Sequence, residues 1–508
     1  MKALKISPND NTATLLSKVS KGEDVSFIDE KNIKTIKANS DIDFGHKIAT
    51  RDIAVGEKII KYGETIGIAV AAISKGDHVH TQNIKSLRAG GYESAEVDQF
   101  RTSQSVEPEE ETDDSLAKQF KNATFLGYPR KDGTYGTRNE VAVISCVVCS
   151  NEAVSKICEN ESNVCKFTHQ QGCSQTMPDV KKIKNILINL ALNPNVGAVL
   201  YVSLGCESVP SEEVANEAKA LSGKPVDLIC LQKEGGLTET VKRGKAVVRA
   251  FKKQIEASRT PCPISGIKLG LKCGSSDTTQ GLSANIVAGK ITDIITGCGG
   301  TAIMGETTEF MGAEHIAAAH CKNKKVADYI VRKVKEMEER AMAVGVDMRG
   351  GQPTRGNIAG GLTTIEEKSL GALAKAGSSY FNEGIEYGER TKTKGLIFMD
   401  APGREPEMLT GLAAAGCNLI LFTTGRGAPQ GFPFVPVVKI TGNQSTWLNM
   451  NEHMDFPVTG IMEGKESADN SAEHLMNELL EYASGKETKA EKSSYNDSMN
   501  IYVTGPTI

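Results

Sequence analysis

An acidic stretch at residues 104–115, Gln-Ser-Val-Glu-Pro-Glu-Glu-Glu-Thr-Asp-Asp-Ser, divides the chain into two parts with different periodicities. It has almost nothing apolar to bury, which predicts a solvated linker, placed at 94–120. Before it, residues 1–93 run in short alternating segments such as Lys58-Ile-Ile-Lys-Tyr62, punctuated by Gly45, Gly56, Gly63, Gly67 and Gly76. That pattern predicts a small all-β module.

After the linker, strand-like and helix-like segments alternate. Residues 180–192 carry Ile183, Ile186, Leu187 and Leu190 at helical spacing and stop at Asn193-Pro194, and an apolar run at 198–204 follows. Residues 226–231 read as a strand, and Thr260-Pro-Cys-Pro263 reads as a break. Beyond it come strands at 268–273, near Ala302, at 395–400 and at 419–423, with helices at 326–343 and 407–415. The expectation is two α/β domains with mainly parallel sheets, 121–260 and 261–508, following the β module. Ligands gather beyond the carboxyl ends of such strands, where Cys206, Cys273 and Arg426 fall.

A chain of 508 residues exceeds one core and suggests about three domains. A net charge of −4 without a basic block argues against nucleic acid as a partner. The N-terminus lacks the apolar core of a signal peptide, and no run approaches the roughly 20 apolar residues that span a bilayer, so no membrane partner is expected. Twelve irregularly spaced cysteines read as reduced thiols of a cytoplasmic protein. Fifty glycines, many in turns after strands, suit a small polar substrate.

Three cysteines sit in glycine-flanked turns: Gly172-Cys173-Ser174, Gly205-Cys206-Glu207 and Cys273-Gly274-Ser275. Thiolates at strand ends beside an acid could hold iron, although a single free cysteine is more often simply buried. Cys146 and Cys149 form one CxxC pair, weak by itself and read as packing at a helix start. His78 and His80 share a strand face, because side chains alternate, and His46 could join them as third ligand or proton carrier. Lys47 reads equally well as a surface residue. His169 precedes the first cysteine turn. Arg138, beside Asn139, and Arg426 offer forks for a carboxylate. Glu306 and Glu309, if helical, would present two carboxylates on one face as ligands or proton carriers. Lys368 and Lys375 could act as a base if desolvated.

Together these segments resemble the altronate and galactarate dehydratase family, nearly end to end. Gly45-His46-Lys47, Lys61-Tyr-Gly-Glu-Thr-Ile-Gly67 and His78-Val-His80 resemble its β-clip SAF module. The remainder matches through Gly127-Tyr-Pro-Arg-Lys-Asp-Gly133, the turn from His169 to Cys173, Leu204-Gly-Cys-Glu207, Cys273-Gly-Ser-Ser-Asp277 with Asn285, Asn357, and Thr423-Thr-Gly-Arg-Gly427. Departures are Gln82 in place of a third histidine, Ile358 where lysine is usual, and Ala428-Pro-Gln-Gly431.

The resemblance implies β-elimination of water from a polyhydroxy carboxylate, with iron as cofactor, as a ferrous ion or an iron–sulfur cluster, and manganese as a substitute. With that reaction, His46 as proton carrier, Lys368 as base, Arg426 as fork and His169 before the first cysteine turn are the catalytic candidates. Substrate contacts would come from Arg138, Asn139, Ser276, Asp277, Asn285, Asn357 and Thr424. Metal ligands would come from His78, His80, Cys173, Cys206, Glu207, Cys273, Glu306 and Glu309. Sulfite elimination from a C3 sulfonate and non-catalytic sugar-acid binding are the alternatives, and a homo-oligomer is compatible with all of them.

Overall fold

The computed structural model describes residues 2–30, 32–87, 115–348, 352–497 and 499–508. Most of the expected linker, 94–114, lies outside the described residues. The remainder of it is not linker: Ser115–Phe120 is a helix with Phe120 buried.

The described part of the first 87 residues forms a β module. One sheet has the order Ala3–Leu4, Thr12–Leu15, Lys47–Ala49, His78–Val79, another joins Lys58–Lys61, Glu64–Ala69 and Ile84–Lys85, and Asp24–Asp29 pairs with Asn32–Lys37. Alternation works as expected, with Val25, Phe27, Ile59 and Ile66 turned into two small apolar cores.

The second region is a four-stranded parallel sheet. Its strands are β1 (Glu140–Ser145), β2 (Val164–Phe167), β3 (Val196–Ser203) and β4 (Val226–Cys230), in the order β2-β1-β3-β4. Every residue of β3 is buried, as a strand covered on both faces requires. Helices α1 (Asn151–Cys158), α2 (Met177–Ala191), α3 (Ser211–Ser222) and α4 (Leu237–Gln254) connect and cover it.

The third region is a seven-stranded parallel sheet. It comprises β5 (Lys268–Gly274), β6 (Thr301–Met304), β7 (Phe381–Ile385), β8 (Gly395–Met399), β9 (Leu419–Thr424), β10 (Val437–Thr441) and β11 (Phe456–Pro457), in the order β7-β8-β6-β5-β9-β10-β11. Its helices include α5 (Asn285–Gly297), α6 (Lys324–Ala343), α7 (Ile365–Leu373), α8 (Glu405–Ala414) and α9 (Ala468–Ala483). Asn323 caps α6 by accepting from the Val326 N–H.

The expected break at 260–263 is instead a strand. Thr260–Pro263 pairs antiparallel with Thr124–Pro129, and its two prolines are tolerated because it lies at the edge of its small sheet. The two parallel sheets also share one core. Ile186 and Leu187 of α2 and Leu409 and Leu412 of α8 pack in the same apolar cluster as Tyr201 of β3 and Phe422 of β9. No helix among the described residues is long and apolar enough to cross a membrane.

Candidate active site

Strands Lys47–Ala49 and His78–Val79 pair antiparallel, with Ile48 opposite His78. His46 immediately precedes the first strand and His80 follows the second, so strand pairing itself gathers three imidazoles. His46 Nδ1 lies 3.0 Å from His78 Nε2, His46 and His80 stack at 4.6 Å, and one ring nitrogen from each of the three lies within 4.8 Å of the others. Burial lowers the pKa of all three, to about 4 for His78 and His80, so they are neutral donors near pH 7. His80 Nε2 meets the Ile358 carbonyl at 3.1 Å and His46 Nε2 the Ala359 carbonyl at 3.4 Å. A metal-ligating histidine commonly anchors its second nitrogen in this way. Because the contact uses the Ile358 backbone, the unusual side chain at 358 does not disturb it. Gln82 is exposed and donates to the His78 carbonyl, outside the trio.

The carbonyls of residues 358 and 359 belong to the third region, so the module is docked on it. Lys47, expected equally at the surface, is fully buried; its Nζ donates to Gly361 O at 2.8 Å and to Glu367 at 2.9 Å. Lys61 Nζ reaches the other Glu367 oxygen at 2.7 Å, and Thr363 donates through both N–H and hydroxyl. Burial alone would raise the Glu367 pKa, but the two ammonium groups hold it well below the carboxylate range. A close approach completes the dock: Gly361 has φ +95, and a Cβ there would lie 2.3 Å from Gly45 O.

Beneath the histidines lie the turns that follow β5 and β9. Asn357 Nδ2 donates to Ser276 O, and buried Asp277 accepts from Thr279 Oγ1 at 2.6 Å and Asn443 Nδ2 at 2.8 Å. Exposed Arg426 donates from Nη1 to Gly356 O at 2.8 Å. Thr424 Oγ1 accepts from Gly427 N–H, and Asn285 bridges Gly371 O and Thr423 Oγ1. Tyr62 of the module, Cys273, Ser276, Asp277, Gln280 and Lys368 line a cavity between the two parts. Gln280 Oε1, Thr278 Oγ1 and Ser369 Oγ are buried there or nearby without a hydrogen-bond partner among the described residues.

Cys273 is not in a cysteine group. Burial, aided by the Glu309 charge, pushes its thiol up to about 11, and Gln280 Nε2 lies 2.9 Å from its sulfur. Glu306 and Glu309 do not share a helix face: Glu306 has φ +66 and precedes the short turn Thr307–Glu309. Their carboxylates are ion-paired, Glu306 with Lys272 and Glu309 with Lys375 at 2.6 Å, and Glu306 also accepts from the Cys273 N–H.

Other expected site residues lie elsewhere. Arg138 commits its guanidinium to Glu491 and to the carbonyls of Thr137, Tyr482 and Lys486, and Asn139 donates to Ile255 O at the amino end of β1. Both hold segments together. His169 is buried, with Nε2 2.8 Å from Ser145 O and Nδ1 accepting from Gln171 N–H, so neither nitrogen is left for a substrate. The Glu207 carboxylate accepts from the N–H groups of Leu204 and Gly205 and from Ser211 Oγ, which closes its own loop. Cys173 and Cys206 belong to the four-stranded sheet, whereas Cys273 ends a strand of the seven-stranded one. Glu367, Gln280 and Lys272 carried no sequence signal, because their partners are distant in the chain or need the folded cavity; Tyr62 stood in the motif at 61–67 but was given no role there.

Family models match the chain in three consecutive pieces. The altronate/galactarate dehydratase SAF domain covers 1–87, the second domain of D-galactarate dehydratase/altronate hydrolase covers 127–256, and the D-galactarate/altronate dehydratase C-terminal domain covers 264–506. Altronate dehydratase of Escherichia coli is 33% identical over the full length of both chains, and that of Bacillus subtilis 32% over 99% of each. The β subunit of (2R)-sulfolactate sulfo-lyase from Chromohalobacter salexigens is 35% identical over 75% of this chain and 97% of its own.

Proposed function

The chain belongs to the D-galactarate/altronate dehydratase family, and on that premise we propose that it removes water from a polyhydroxy sugar acid, altronate first among them. The observation that carries this reading is the full-length likeness to two altronate dehydratases. The reaction takes the proton α to the carboxylate and releases the β-hydroxyl as water, and the resulting enol tautomerises to a 2-keto-3-deoxy acid. An α-proton beside a carboxylate is very weakly acidic, so fixed positive charge must stabilise the enediolate as it forms.

Arg426 is the fork for the substrate carboxylate: it is exposed in the turn after β9, and Gly356 O takes only one of its hydrogen bonds, from Nη1. Lys368, held by Gln352 at 3.0 Å, stands at the cavity wall, where its amine takes the α-proton and, as the ammonium so formed steadies the enediolate, returns that proton to the departing hydroxyl, which leaves as water. Ser276, Asp277 and Gln280 supply polar contacts to the sugar hydroxyls, and Tyr62 excludes bulk water from the module side. His46, His78 and His80 would hold a ferrous ion, with manganese as substitute; three neutral imidazoles, two of them anchored on carbonyls, fit that role. When bound there, the ion would supply Lewis-acid polarisation of substrate oxygens.

The test is an anaerobic panel of altronate, galactarate, other sugar acids and sulfolactate, with ferrous iron added, read out as keto acid and as sulfite. Keto acid from altronate is the expected result. Sulfite from sulfolactate with no keto acid from any sugar acid would replace this reading by the elimination its sulfo-lyase relative is named for.

A further inference from the structure

Cys149, Cys173 and Cys206 are exposed, whereas the other nine of the twelve cysteines are buried or half-buried. Free cysteine is among the most buried residue types, so three exposed thiols depart from the usual packing role. Each lies in the loop beyond the carboxyl end of a different strand of one sheet: Cys149 after β1, Cys173 after β2 and Cys206 after β3. Those strands are neighbours, in the order β2-β1-β3, and all are parallel. The loops are also tied to one another. Val148 N–H donates to Gln171 O at 2.9 Å, Ser208 N–H to Gly172 O at 2.9 Å, and Ser174 N–H to Ser208 Oγ at 3.1 Å.

The same edge collects the amino ends of three helices. Helices α1, α2 and α3 begin shortly after Cys149, Cys173 and Cys206 respectively, and the amino end of a helix carries partial positive charge. Gly172, Ser174 and Gly205 are held at φ +108, +53 and +122, conformations that turn the two cysteine loops sharply; for Ser174 that is a strained choice. Gln232 Nε2 stands 3.8 Å from Cys206 Sγ, and Ser174 Oγ 3.7 Å from Cys173 Sγ.

We propose that Cys149, Cys173 and Cys206 hold a four-iron iron–sulfur cluster, leaving one iron without a protein thiolate and open to an oxygen donor. A single tetrahedral ion at about 2.3 Å from each sulfur needs the thiols tightly closed on a point. Among the described residues only the histidine trio forms such a closed group, whereas a cluster takes each thiolate on a different iron. Cys149 thus replaces Cys273 in the set the sequence pointed to. The inference does not depend on the dehydratase reading.

The full-length protein, reconstituted anaerobically with ferrous iron and sulfide, tests it. The expected product is brown, retains about four sulfide per chain after desalting, with at least as much iron, and gives an electron resonance signal on reduction. Cys149→Ser, Cys173→Ser and Cys206→Ser should each lose colour and sulfide, while Cys273→Ser and His78→Gln keep both. Mass-spectrometric mapping of alkylation gives a readout independent of variant folding: in the reconstituted wild type those three thiols should be protected. Colourless protein without sulfide, a single bound metal at these thiols, unprotected thiols, or equal bleaching by Cys273→Ser would each overturn the proposal. The dehydratase assay is separate, so either conclusion can fail alone.

Discussion

At the scale of single residues, the histidine trio makes a claim about pH. Burial lowers the His78 and His80 pKa from 6.5 to about 4, so between these values the unfolded chain binds protons that the native one does not. Their contribution to stability is therefore complete above pH 6.5 and lost as the pH falls toward 4. In metal-free protein, melting temperature should drop over that interval, and His78→Gln or His80→Gln should flatten the drop. Arg426 makes a second claim. Replacing its fork by lysine removes one of two parallel hydrogen bonds to a carboxylate, worth about 1.5–3 kcal/mol, so Arg426→Lys should raise KM roughly tenfold to a hundredfold. Steady-state kinetics on the best substrate of the panel check this, and an unchanged KM would remove Arg426 from the site.

At the scale of elements, the dock between the β module and α7 rests on Glu367. It faces Lys47 and Lys61, all three buried, so Glu367→Gln leaves two interior ammonium groups short of their counter-charge. Breaking a buried pair costs about 3–5 kcal/mol, and this variant should melt earlier and be clipped faster at the module boundary under limited proteolysis. Gly361→Ala tests the same dock by shape. A methyl 2.3 Å from Gly45 O forces the module off the loop that carries Ile358 and Ala359, so turnover should fall while the circular dichroism of the helices is kept.

At the scale of the whole molecule, the two parallel sheets are one cooperative body. Their shared core includes Ile397, Met399, Ile420 and Phe422 of the seven-stranded sheet and Ala142, Ile144 and Tyr201 of the four-stranded one. Expressed alone, residues 264–506 would expose that face. The fragment should bind a hydrophobic dye and sediment as aggregates, and co-expression with residues 115–263 should relieve both effects. A soluble, dye-silent fragment would show that the core divides cleanly.

What the sequence determined by itself was the alternation and its consequences. The expected helix at 180–192 is found at Met177–Ala191, and the expected strands at 198–204 and 419–423 at Val196–Ser203 and Leu419–Thr424, because period and punctuation are local properties. The pairing of His78 with His80 was legible for the same reason, since two residues apart on a strand is one face. Tertiary structure decided the rest. Arg138 looked like a substrate fork until Glu491, far along the chain, took it, and Lys47 looked like surface until Glu367 met it inside. Cys273 carried the same glycine-turn signature as Cys173 and Cys206, yet it ends a strand of a different sheet, while Cys149, discounted as helix packing, stands on theirs. A turn motif records local backbone geometry; which sheet edge that turn joins depends on strand order, which is set by long-range burial that no short window of sequence contains.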